Sequence, residues 1–323
     1  VKYPTAPMSR CPPQRQQLCK PDPLRMYGDP ARLAGLSRKS VSSDPTLAAL
    51  GVRYLQIGGD WWNRCSDGWL NIDQAFSMYG MREGQVATDD NGAHNMVLSI
   101  RADTVLPFAS ESVQMVYAEH VLEHMLPSAG GLRLVQEAYR LLVPGGVLRI
   151  ATPDLALYMC GYSKPQPNNA EQAHFLQRHA TRFEPMERIA GRKISRSWSV
   201  LGGQNRQPSE ASIVNNIFRN YGHQWIYDLD EVKLLAEGAG IDPSYVCRSD
   251  RSQHGLPPQL RRAIKRALDP RNASKACWLD QAVREDESLY VHIYKVPNWS
   301  HVPRNYSRPF CRPMSGDWFP CRI

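Results

Sequence analysis

No stretch of this sequence could cross a membrane as a helix. A span needs about 18 consecutive apolar residues, and the apolar runs here, such as Val147-Leu148, are short and broken by polar residues. The chain also lacks closely spaced cysteine pairs. Its 8 cysteines are spread widely with no Cys-x-x-Cys, so a structural zinc site of the ribbon type is not expected, and the sequence assigns no metal ligands. Internal repeats are missing, and the composition excludes the collagen-like and coiled-coil classes. Nor is the chain poor in apolar side chains or overloaded with charge. At 42% hydrophobic and 22% charged residues over 323 positions, a folded α/β or similar globular class is expected rather than disorder.

What the chain does have is unevenly placed. Its net charge is +8, and residues 248–275 alone hold eight basic side chains against two acids. Prolines gather at the ends, with twelve of 25 in residues 1–30 and 297–323. Proline lacks an N–H donor, so these ends read as irregular arms rather than helix or central strand. Four cysteines lie in them: Cys11, Cys19, Cys311 and Cys321. Disulfides would be a sensible way to fix such arms to a core. Three Asn-x-Ser sequons, at Asn272, Asn298 and Asn305, stand nearby. Together these features point to a glycoprotein of the secretory lumen or exterior, with an organellar or cytoplasmic location as the alternative. The chain begins at Val1 rather than Met, which leaves room for an upstream segment.

From residue 46 the pattern changes. Thr46 to Leu50 is expected to form a short helix, and Arg53 to Ile57 a strand ending at Gly58-Gly59-Asp60. Further strands are expected at Trp69–Asp73, Met96–Ile100, Val113–Tyr117 and Val147–Ile150. Leu134, Val135, Ala138, Leu141 and Leu142 fall on one helical face, and Pro144-Gly145-Gly146 is expected to end that helix. Strand, helix and strand at this spacing predict parallel βαβ units. A helix is expected over 228–239. A late strand is expected where Leu289, Val291 and Ile293 alternate with Tyr290, His292 and Tyr294. Five segments follow: an arm at 1–45, a core at 46–160, a polar lid at 161–225, the rest of the fold at 226–297, and a tail at 298–323.

Ligands of open α/β sheets bind beyond the carboxyl ends of the strands. Gly58 and Gly59 stand at the first such end, where missing side chains admit a ligand to the backbone, and Asp73 stands at the second. A glycine turn followed by an acid at the next strand end points to a nucleoside-containing cofactor.

Next in order come Leu106-Pro107-Phe108, Ser112-Val113 and Tyr117-Ala118-Glu119-His120-Val121-Leu122-Glu123-His124. Then follow Tyr139-Arg140-Leu141-Leu142-Val143-Pro144-Gly145-Gly146-Val147-Leu148-Arg149-Ile150. Over about residues 52–155 the chain resembles the class I S-adenosylmethionine-dependent methyltransferases, in particular the methyltransferase type 11 group. The resemblance continues more weakly through His223-Gln224-Trp225-Ile226-Tyr227-Asp228 to the strand at Tyr290. It implies a Rossmann-like fold, a mostly parallel seven-stranded sheet with helices on both faces, and S-adenosylmethionine as cofactor.

By that resemblance Gly58 and Gly59 would line the methionine part of the cofactor and Asp73 would bind the ribose hydroxyls. Asp103 would sit near the adenine amine, and Ala118, Glu119 and His120 would lie along the other side. His223 and His120 are the catalytic candidates, since a neutral imidazole can take an acceptor's proton near pH 7. The expected reaction is methyl transfer to a small-molecule or glycan acceptor.

The alternative is a catalytically inactive member acting as an assembly subunit, with its arms as protein contacts. It is favoured by the loop reading Gly58-Gly59-Asp60 before Trp61-Trp62, where the family has Gly-x-Gly. A helix bearing Arg261, Arg262, Lys265 and Arg266 opposite Leu260, Ala263 and Ile264 is a candidate surface for an anionic partner, RNA included. A second basic stretch runs from Arg178 to Arg196.

Overall fold

A computed structural model describes residues 47–59, 65–88, 92–101, 103–162, 188–189, 192–193, 210–219, 221–251, 253, 255–267 and 287–296. The arm at 1–45, the tail at 298–323, Asp60-Trp61-Trp62, the three sequons and most of the expected lid lie outside the described residues.

The core is one sheet of eight strands. In chain order these are β1 (Tyr54–Ile57), β2 (Trp69–Ile72), β3 (Val86–Thr88), β4 (His94–Met96), β5 (Val113–Glu119), β6 (Leu142–Pro153), β9 (Val246–Ser249) and β10 (Ser288–Tyr294). A separate two-stranded pair, β7 (Arg188–Ile189) and β8 (Arg192–Lys193), precedes β9. The sheet order is β3-β4-β2-β1-β5-β6-β10-β9. Neighbours β4-β2, β2-β1, β1-β5 and β5-β6 are parallel, whereas β10 runs antiparallel to both β6 and β9. Without β3 this is a seven-stranded sheet with one reversed strand next to its far edge. β3 adds an antiparallel eighth strand beside β4.

The helices are α1 (Leu132–Leu141), α2 (Leu155–Tyr162), α3 (Glu210–Arg219), α4 (Leu229–Gly238) and α5 (Pro258–Ala267). One sheet face is aliphatic. Leu55, Ile57, Val116, Ala118, Leu148, Ile150, Val291 and Ile293 pack there with Leu134, Val135 and Ala138 of α1 and Val232 and Ala236 of α4. The other face is aromatic and polar, with Trp69, Tyr117, Tyr290 and Tyr294 against Leu260, Ala263 and Ile264 of α5. The stripe of α5 is thus buried as its spacing requires. Arg261, Arg262, Lys265 and Arg266 are exposed.

Several expectations are corrected. Residues 47–50 form a turn, not a helix, closed by bonds from Gly51 N to Ala48 O (3.0 Å) and Val52 N to Leu47 O (2.8 Å). The strand expected at Met96–Ile100 ends at Met96. Pro144-Gly145-Gly146 does not separate helix from strand. α1 ends at Leu141 and β6 begins at Leu142, continuing through those residues because Gly145 N donates to Lys295 O (2.7 Å) and Lys295 N to Gly146 O (2.9 Å). By contrast, β10 keeps the two faces its alternation predicts, with Leu289, Val291 and Ile293 in the aliphatic core and Tyr290 and Tyr294 on the aromatic side, and all seven of its residues are buried because helices cover both sides. Inside the expected lid, α3 packs Ile213 and Ile217 against Tyr158 and Ile226. Among the described residues no helix is long and apolar enough to cross a membrane, and none of the cysteines is free.

Candidate functional site

The parallel strands bring the expected residues to one edge of the sheet. Gly58 follows β1, and its N–H donates to Ile72 O at 3.0 Å, which ties the ends of β1 and β2 together. Its φ is +80°, and a Cβ there would stand 2.1 Å from Val121 Cγ2 and 3.1 Å from Glu119 O. Only glycine lets the end of β1 approach the end of β5 so closely. Gly59 is buried beside it.

Asp73 follows β2 immediately, is partly exposed, and accepts a bond from Ala75 N at 2.7 Å, so it caps the 3-10 turn Gln74–Tyr79. Glu119, 5% exposed, is the last residue of β5 and pairs with Ala151 of β6. Ala118 is buried in the aliphatic core. Asp103 lies exposed in a turn after β4, within a loop held by Arg101 N to Thr104 Oγ1 (2.7 Å) and Arg133 Nε to Thr104 O (2.6 Å).

Beyond β5 the chain turns through His120, whose φ of +53° is unusual for a side-chain-bearing residue. A bond from His120 N to Ala151 O (2.8 Å) holds it there. The 3-10 turn Leu122–His124 then places Glu123, fully buried, among three imidazoles. His120 Nδ1 is 2.9 Å from Glu123 Oε1. A carboxylate only accepts, so Nδ1 carries the proton in that bond and Nε2 faces Ser288 Oγ at 3.2 Å. Thr152, on β6, donates to Glu123 Oε2 at 3.1 Å.

His223 comes from the segment before α4. Its Nδ1 lies 2.6 Å from Ile217 O and its Nε2 4.0 Å from Glu123 Oε1. The His124 ring stands edge-on to it, with centroids 5.0 Å apart. The backbones are joined as well: Gln224 N and Trp225 N both donate to Glu123 O, at 2.8 and 3.2 Å.

The electrostatics follow from this crowding. Burial alone would raise the Glu123 pKa. The charge and hydrogen bond of His120, then the charges of His124 and His223, outweigh it and hold the group at about 2. Glu123 is therefore ionised at neutral pH. Burial lowers the pKa of His223, offset in part by Glu123 and by the Ile217 carbonyl. A neutral imidazole thus faces a buried carboxylate, an arrangement able to receive and hold a proton at the sheet edge.

At the same edge Asp154 caps α2 through Ala156 N (3.0 Å) and pairs with Arg248. Burial raises the Asp154 pKa against the pull of Arg248.

His120 and His223, far apart in sequence, thus meet at one carboxylate. Sequence reasoning missed that carboxylate, along with Thr152 and Ser288. The spacing of His120 and Glu123, three apart before an amphipathic helix, was the available signal. Nothing in the sequence marks Thr152 or Ser288, because β6 and β10 deliver them across an antiparallel pair.

Residues 70–150 match the family model described as a methyltransferase domain. No curated protein matches the chain. Among solved structures it is similar to an S-adenosylmethionine dependent methyltransferase from Mesorhizobium loti, with 13% identity and a TM-score of 0.35, over 76% of this chain and 94% of that one. It is also similar to PKMT2 from Rickettsia typhi in complex with AdoHcy, with 11% identity and a TM-score of 0.34, over 86% of this chain and 53% of that one. A third is phospholethanolamine N-methyltransferase 2 from Haemonchus contortus, with 12% identity and a TM-score of 0.31, over 84% and 54%. The chain therefore spans about half the length of the latter two. The strand order and the matched domain, rather than these superpositions, carry the fold class.

Proposed function

From the premise that this chain carries a class I methyltransferase domain, we propose that it moves a methyl group from S-adenosylmethionine to a hydroxyl or amine of a small-molecule or glycan acceptor. The observation that supports this most is the Glu123-centred imidazole cluster, set on the same sheet edge as Gly58 and Asp73.

The residues present fit the cofactor. Its ammonium and ribose hydroxyls are donors, and the edge offers carboxylates at Asp73 and Glu119. Its amino-acid end needs close backbone, which the turn after β1 supplies at Gly58-Gly59, the side-chain space of Gly58 itself being taken up by Val121 and the Glu119 carbonyl. When bound, the cofactor supplies an electrophilic methyl group on a sulfonium. The protein's part is to orient the acceptor and take its proton. His120, its ring fixed by Glu123 and its Nε2 turned to Ser288, is suited to receive that proton. Glu123 then stabilises the imidazolium.

Asp73 also supports the scaffold reading, because its carboxylate already caps a turn. Calorimetric titration with S-adenosylhomocysteine separates the two. We expect micromolar binding to the native chain and loss of at least tenfold in affinity for Asp73→Ala, with Asp73→Asn keeping the cap and losing only the charge. Absence of heat and of any thermal shift at millimolar ligand would sink the enzyme reading in favour of the scaffold.

A further inference from the structure

We propose that Glu123, His124 and His223 hold one divalent first-row transition-metal ion at the edge of the sheet. One carboxylate oxygen of Glu123 and one ring nitrogen of each histidine lie within 4.8 Å of one another. Two ligands of a single tetrahedral ion, at about 2.0–2.1 Å from it, sit about 3.4 Å apart. The 4.0 Å gap between His223 Nε2 and Glu123 Oε1 is too long for a hydrogen bond and closes to ligand spacing with a shift of under about 1 Å.

The orientation of each group carries the argument further. His223 Nδ1 donates to Ile217 O at 2.6 Å, which fixes the tautomer and leaves the Nε2 lone pair facing Glu123. A histidine whose second nitrogen is bonded to a backbone carbonyl is the usual arrangement around a metal. Glu123 is held in turn by Thr152 (3.1 Å) and His120 (2.9 Å). The two backbone bonds onto Glu123 O fasten His223 beside the turn that carries Glu123 and His124. Glu123 and His223 are thus placed by other contacts, and His124 is carried on the same turn as Glu123 with its ring against that of His223.

Two imidazoles and one carboxylate suit Zn²⁺ or Fe²⁺ better than Mg²⁺ or Ca²⁺, which favour oxygen donors. Three protein ligands leave a position open for water or an acceptor oxygen. Metal binding itself does not depend on the methyl-transfer reading, whereas contact between metal and acceptor rests on it. With His223 on the metal, the acceptor's proton passes to His120.

The test uses the full chain without a histidine tag, freed of metal by chelation and then dialysed against Zn²⁺. One equivalent is expected to be retained. Co²⁺ in its place is expected to give a visible spectrum of mixed nitrogen and oxygen coordination that Zn²⁺ abolishes. His124→Gln and His223→Gln should each weaken Zn²⁺ binding more than tenfold with far-UV circular dichroism unchanged. Retention well below one equivalent by the native chain overturns the proposal. So does unchanged affinity in both variants, which would mean adventitious binding at surface histidines. S-adenosylhomocysteine binding, measured on the metal-free chain, reports the cofactor site separately, so either site can fail without the other.

Discussion

At the scale of single residues, two backbone positions hold the site together. Gly58 sits at φ +80° with Val121 and the Glu119 carbonyl against it, and His120 sits at φ +53° where most side chains are strained. Gly58→Ala adds both a left-handed penalty and a clash. We expect it to cost about 1–3 kcal/mol of stability and to weaken S-adenosylhomocysteine binding by more than the stability loss explains. Urea unfolding and calorimetry on the same samples check this. Native-like binding in a folded Gly58→Ala chain would show that close approach of β1 to β5 is not part of the cofactor site.

Residues of this kind were only partly legible in the sequence. Gly58, Asp73 and His120 stand at strand ends, and a strand end can be read from alternation followed by a break. Glu123 could be read only as part of a motif. Its importance comes from burial and from His223, brought beside it across about a hundred residues of chain.

Among the elements, strands with strong β-branched or aromatic alternation were legible: β1, β2, β5 and β10 appear within two residues of expectation. β3, β4 and β9 are three or four residues long, and pairing with a neighbour defines them more than composition does. The break between α1 and β6 falls earlier than composition places it, for a similar reason. A Pro-Gly-Gly run signals a turn by composition, but here the bonds with Lys295 carry strand geometry through it.

α4 was legible because its start carries a local signal. Asp228 accepts from Glu231 N at 2.9 Å, and Asp230 and Glu231 fill the first turn. α4 starts six residues after His223, so its cap fixes the far end of the short segment that carries His223. Asp228→Ala is expected to cost about 1 kcal/mol and Asp228→Asn much less, as a difference in thermal midpoint of a few degrees. Equal midpoints for the two variants would show that the fold, not the cap, holds the start of α4.

Across the whole molecule the two faces of the sheet do different work. The aliphatic face supplies an ordinary core, while the opposite face buries a charge. Arg149 of β6 is fully buried, with Tyr117 and Tyr290 rings 5.7 and 4.9 Å from its guanidinium carbon. It donates to Asp250 O at 2.9 Å and to His292 Nε2 at 2.5 Å. His292 is also fully buried, and Tyr294 Oη stands 3.3 Å from its Nδ1.

A histidine accepting from an arginine must be neutral. Burial first, then the charges of Arg149 and Arg261, hold its pKa well below the ordinary 6.5. The unfolded chain takes up a proton as pH falls through about 6.5, and the folded chain does not. The stability that neutral His292 contributes is therefore complete above that value and is lost as pH falls below it. The slope for one such proton approaches about 1.4 kcal/mol per pH unit. Urea unfolding at pH 7.5, 6.5 and 5.5 should show this loss, and His292→Gln, which keeps an acceptor for Arg149, should reduce the slope by about one proton. An unchanged slope in the variant would mean that His292 titrates alike in both states, and that Arg149 is held by its ring contacts and the Asp250 carbonyl without needing the imidazole neutral.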